Sequence, residues 1–116
     1  MSTSTEHLVE FAATFGKALH DGHFVAAHAM LTPALAGTTS AADLLEEYEV
    51  LAEDMGGVTG IGPPAVILEE WPGKGEQDLA MVYIPLEGDM FSEAATVTVA
   101  ESGSGLCVAG IEWGRP

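Results

Sequence analysis

Basic side chains are nearly missing from this chain. Lys17, Lys74 and Arg115 stand against eighteen acids, for a formal net charge of −15 over 116 residues. A nucleic acid would be repelled, because binding a polyanion needs a basic footprint that releases counterions. An anionic membrane surface is disfavoured for the same reason. Cysteine is almost absent too. The single Cys107 excludes an internal disulfide and agrees with a reducing compartment. No apolar run approaches the ~20 residues needed to span a bilayer. The opening "MSTSTEHLVEF" lacks the basic start and apolar stretch of a secretory signal, so the expected location is the cytoplasm.

A globular composition remains. Hydrophobic residues make up 47% of the chain, enough for a genuine core in one domain spanning residues 1–116. No internal repeat or second-domain boundary appears. The acids are spread over the whole domain, thirteen glutamates to five aspartates. Such a field speeds association with a basic partner, and it equally serves solubility or life in a salty cytoplasm.

Three helices are expected in the first half. In "TEHLVEFAATFGKALHDG", Leu8, Phe11, Phe15 and Leu19 recur at helical spacing with Ala12 and Ala18 beside them. Ser4 or Thr5 caps the start, and Gly22 marks the stop. A shorter helix follows, with Phe24, Ala27, His28 and Leu31 on its apolar face, and Pro33 discourages its continuation. In "TTSAADLLEEYEVLAEDMGG", Ser40 and Asp43 form a capping-box pattern. Leu44, Leu45, Tyr48, Leu51, Ala52 and Met55 then trace the buried stripe, with Glu46, Glu47, Glu49, Glu53 and Asp54 facing water.

The texture changes at "GVTGIGPP", a glycine- and proline-rich connector. "AVILEEW", "LAMVYIPL", "MFSEAATVTVAE" and "LCVAGIEW" then spell four strands, separated by "PGKGEQD", "EGD" and "SGSG". Short turns between consecutive strands imply an antiparallel meander. The expected fold is α+β, with three N-terminal helices packed on a curled, cone-like, four-stranded sheet.

This order, with Gly22, Phe24, Ala27 and Leu31 in a "G-x-F-x-x-A-x-x-x-L" segment and Ser40 with Leu44 in an "S-x-x-x-L" helix, resembles the nuclear-transport-factor-2-like superfamily, also called the cystatin-like cone fold. In particular it resembles the small bacterial domains of that superfamily, of uncharacterised function. The matching positions serve packing and capping, so the resemblance implies fold and says almost nothing of activity. It implies a sheet wrapped over a helix, a pocket inside the cone and often a dimer. Isomerases, dehydratases, transport adaptors and non-catalytic subunits all share this fold.

Several residues carry candidate chemistry. His20, His23 and His28 crowd one short run, but Asp21 and Gly22 break the helical face between the first two, so no metal site is expected. His28, Tyr48 and Tyr83 are the candidates to line a cone pocket, where His28 could act as acid or base. Glu112 alternates with Ile111 and Trp113. With those two on the core side, Glu112 faces out. "GVTGIGPP" has no lysine and no strand–glycine–helix setting, so it is no phosphate loop, and no cofactor is called for. Cys107 sits among apolar neighbours as a small core residue.

The expected function is non-catalytic binding. The chain takes either a basic protein on the acidic helix face of Glu46, Glu47, Glu49 and Glu53, as an adaptor or immunity-type protein, or a small apolar ligand in the cone pocket. The alternative is a small lyase or isomerase using His28 and Tyr48. A homodimer is expected, with Trp71 or Trp113 helping to cover a partly apolar sheet face.

Overall fold

The computed structural model describes residues 4–103 and 105–114. Arg115 and Ser104 of the "SGSG" turn lie outside the described residues. The order is α1 (Thr5–His20), α2 (Phe24–His28), α3 (Pro33–Ala36), α4 (Ala41–Asp54), β1 (Val58–Ile61), β2 (Ala65–Leu68), β3 (Asp78–Gly88), β4 (Glu93–Ser102) and β5 (Gly105–Trp113). The α+β class and the helices-then-strands order agree with the sequence. The counts do not: four helices and five strands stand among the described residues, against three and four expected.

Both extra elements have a physical cause. Pro33 does end the segment before it, but its fixed φ also suits the first position of a new helix. Thr32 caps that helix, accepting from the Leu35 N–H at 3.2 Å. The extra strand comes from "GVTGIGPP". Val58–Ile61 pairs with the end of β3 despite Gly60, with an irregularity between Val58 and Gly60. Pairing with a neighbour overrides weak strand propensity here.

The sheet is antiparallel and open, in the order β1-β3-β4-β5, with β2 also pairing to β3 along the edge that β1 uses. On the far edge, Leu31 makes a parallel bridge to Val108. The Thr32 N–H donates to Val108 O, and the Val108 N–H to Met30 O, both at 2.8 Å.

The core lies between α1 and the sheet. Leu8, Ala12, Phe15 and Leu19 project from one face of α1 onto Val82, Ile84 and Leu86 of β3 and Val97 and Val99 of β4. Gly16 belongs to the same face because a side chain there has no room. A Cβ would stand 3.0 Å from Ile84 Cγ2 and 3.5 Å from Ile61 Cγ2. Leu44, Tyr48 and Leu51 of α4, with its C-cap Met55, complete the core, while Leu45, expected in that stripe, is 39% exposed. Gly56 ends α4 with φ +77°, a conformation that favours glycine.

These contacts set a stability ranking. Phe15→Ala should cost ~3–5 kcal/mol and Gly16→Val ~1–3 kcal/mol by overpacking. Val25→Ala, at a position 78% exposed, should stay within ~0.5 kcal/mol. Urea denaturation of the three variants checks the ranking. A Gly16→Val protein as stable as wild type would refute the close helix–sheet approach.

Candidate functional site

A cleft of about 430 Å³ opens where the helical layer meets β5, lined by Leu35, Thr38, Thr39, Asp43, Glu46, Glu47, Ile111 and Trp113. The capping box builds its acidic wall. The Ser40 side chain accepts from the Asp43 N–H at 3.1 Å, and the Asp43 carboxylate accepts from the Ser40 N–H at 2.9 Å. That exchange starts α4 at Ala41, and helical spacing then carries Asp43, Glu46 and Glu47 along one side at i, i+3 and i+4. Opposite them, alternation along β5 turns Ile111 and Trp113 toward the helices, both packed against the core, and leaves Glu112 exposed on the other side.

The cleft is therefore acidic on one wall and apolar on the other, where the indole of Trp113 lies beside Ile111. Its three carboxylates meet no lysine or arginine among the described residues. Lys17 pairs with Asp21, and Lys74 with Glu70 at 3.1 Å, both elsewhere. Glu49 and Glu53 continue along exposed α4 beyond the cleft, interleaved with Leu45 and with Val50, which is 57% exposed. A cationic group fits these walls best, since its charge meets the carboxylates and its stem or face meets Trp113.

The other sequence candidates lie apart from this cleft. Tyr48 is buried in the core, where its ring meets Phe24 edge-on at 6.0 Å between centroids. Its hydroxyl is 3.2 Å from His20 Nδ1, a partner that the sequence reading overlooked. Burial, with the Asp21 carboxylate adding to it, pushes the Tyr48 hydroxyl up to about 12. Lys17 holds the Asp21 carboxyl below its ordinary value, chiefly through their hydrogen bond.

His28 sits one turn beyond Phe24 on α2, and its buried Nε2 has no hydrogen-bond partner among the described residues. Tyr83, between buried Val82 and Ile84, points to the opposite side of the sheet. The structure therefore places Tyr48 and Tyr83 on different sides of the sheet. Among the described residues, no group of three or more His, Cys, Asp or Glu could hold a metal ion. Cys107 is buried and its thiol points to Ala100 O at 3.6 Å. No helix among the described residues is long and apolar enough to cross a membrane.

Comparison with protein-family models, with curated proteins and with solved structures finds no match to this chain.

The raised Tyr48 value fixes a pH dependence. An unfolded tyrosine ionises near ~10, so the neutral hydroxyl's contribution is complete below about pH 10. It should be lost as pH rises toward 12, where the folded group ionises. Chemical denaturation at steps between pH 9 and 12 should show stability falling in that window, and Tyr48→Phe should flatten the fall. An equally steep fall in the variant would assign it to other groups.

Proposed function

We propose that this chain is a non-catalytic binding domain, an acidic adaptor or immunity-type protein that takes a cationic side chain of a basic protein in the cleft between α4 and β5. The observation that carries this reading is the wall of Asp43, Glu46 and Glu47, unpaired with lysine or arginine among the described residues and facing Trp113. Glu49 and Glu53 extend the attraction along α4 and serve mainly to steer the partner in. The net charge of −15 selects a basic partner over nucleic acid. The cytoplasm, as a reducing compartment, suits the free Cys107. The order of helices before a meander supports placing the chain with the nuclear-transport-factor-2-like superfamily.

A homodimer belongs to the same proposal, since one face of the sheet carries no helix. The lyase or isomerase reading has less behind it. It needs His28 and Tyr48 together around a ligand, and the Tyr48 hydroxyl instead faces His20, an exposed residue at the end of α1. A small apolar ligand would find one apolar wall in the cleft, but three carboxylates face it.

Affinity capture from the native host's lysate, at low and then high salt, tests the binding reading. The expected result is a stoichiometric basic protein that salt releases. With that partner in hand, the combined variant Glu46→Gln, Glu47→Gln, Glu49→Gln and Glu53→Gln should slow association about tenfold or more at low salt. It should also flatten the salt dependence. An unchanged affinity would remove the acidic face from the reading.

A further inference from the structure

The helix-free face of the sheet holds a buried polar atom with no partner. Strand register sets one central row across this face as Ala65–Tyr83–Thr96–Glu112. The next row is Leu68–Met81–Thr98–Gly110. Val82 and Ile84, which alternate with Met81 and Tyr83, point into the core, so both rows face away from the helices. Their single charged residue is Glu112. Thr96 is only 5% exposed, and its hydroxyl has no hydrogen-bond partner among the described residues. Leaving a buried hydroxyl unpaired costs stability. A valine of the same shape would fill the position without that cost.

Thr96 lines a cleft of about 210 Å³, together with Met81, Thr98, Gly110, Ile111 and Glu112. One water takes up ~30 Å³, so a single bridging water leaves most of this space empty. The volume lies below the ~300–1,000 Å³ of pockets for drug-sized ligands, which suits a small head group. Gly110 makes the room. A Cβ there would stand 3.5 Å from Thr98 Oγ1 and 3.8 Å from Thr98 Cβ, in ordinary contact and with no left-handed φ. Neither a clash nor backbone strain calls for glycine at this position, and a larger side chain would fill the cleft.

The lining selects the class of ligand. An anion is repelled by Glu112 and by the net charge of −15. No aromatic ring lines the cleft, so a ligand that binds by stacking has no platform. Glu112 meets neither Lys17 nor Lys74, which pair elsewhere. A primary ammonium has three N–H donors and no acceptor. Two threonine hydroxyls and a carboxylate match those donors, and the half-buried Met81 offers an apolar bed for a methylene stem.

We propose that this cleft binds a primary ammonium on a flexible aliphatic stem, with the Thr96 and Thr98 hydroxyls accepting deep in the cleft and the exposed Glu112 carboxylate at its mouth. The site is separate from the α4–β5 cleft and stands independently of the function proposed for it.

Calorimetry on the full chain tests the site, with diaminobutane as the probe and at concentrations where sedimentation shows no self-association. One molecule should bind per chain. Tetramethylammonium, a cation without N–H donors, should not compete. Thr96→Val should weaken binding about tenfold or more, yet leave the unliganded chain at least as stable as wild type. A merely structural threonine would give the opposite pattern. Gly110→Val should abolish binding with an unchanged circular dichroism spectrum, and Glu112→Gln should weaken it about tenfold. Titration followed by nuclear magnetic resonance should move the Met81 methyl signal. Comparing diaminobutane with Nα-acetyl-lysine amide identifies the source, a free amine or a protein side chain, and tighter binding of either supports the site.

Failure of both probes to bind overturns the inference, as does a Thr96→Val chain that binds as tightly as wild type. Binding that leaves Met81 unmoved and shifts the Trp113 indole belongs to the α4–β5 cleft. That result also overturns the inference, while supporting the proposed function.

Discussion

The approach of α1 to β3 governs everything else in this fold. Gly16 brings the helix so near the sheet that a single methyl group would press on Ile84. Phe15 and Leu19 thereby seat deeply enough to be almost wholly buried. With α1 fixed, α2 and α4 can only stack beside it, and Tyr48 is carried in against Phe24 and His20. The cleft follows from the same placement. α1 lies over β1 to β4, whereas α3 and the start of α4 meet β5. A helix of four residues cannot cover that corner, so Trp113 and Ile111 keep an open side facing the α4 carboxylates.

Charge divides the surface into two territories. Thirteen of the eighteen acids lie on helices and connecting segments, five lie on strands, and the two central rows of the helix-free face carry only Glu112. A chain this acidic pays an electrostatic penalty for any self-contact, so a nearly neutral patch of this size is a strong asymmetry in its own right. Tyr83 lies on that face. Among the pocket candidates of the sequence, it is the one whose position depends entirely on strand parity.

How much was legible in the sequence differs by element for physical reasons. α1 and α4 are long, capped and strictly periodic, so their buried stripes could be read off, apart from Leu45 at the margin of the α4 stripe. Ile111 and Trp113 were expected on the core side with Glu112 outside, and alternation along β5 puts them there. α3 was hidden because proline both stops one helix and starts another, and the choice lay with Thr32. β1 was hidden because its glycines look like a connector until β3 offers hydrogen bonds. The candidate site was half visible. Glu46 and Glu47 announced themselves as an acidic face, and Asp43 as a cap. That Trp113 stands across from them depends on the α3–β5 junction, to which no local pattern points. Nor does any local signal join Tyr48 to His20, since they lie 28 residues apart.

The bridge from Leu31 to Val108 bears on how far assembly can run. An open sheet has two rims, and either could template another chain by strand addition. On one rim, the segment around Leu31 occupies backbone groups of β5. On the other, β1 and β2 are four residues each, and Pro63 and Pro64 between them have no N–H to offer. Both margins are therefore blunted among the described residues, and strand addition finds few free backbone groups in line on either rim.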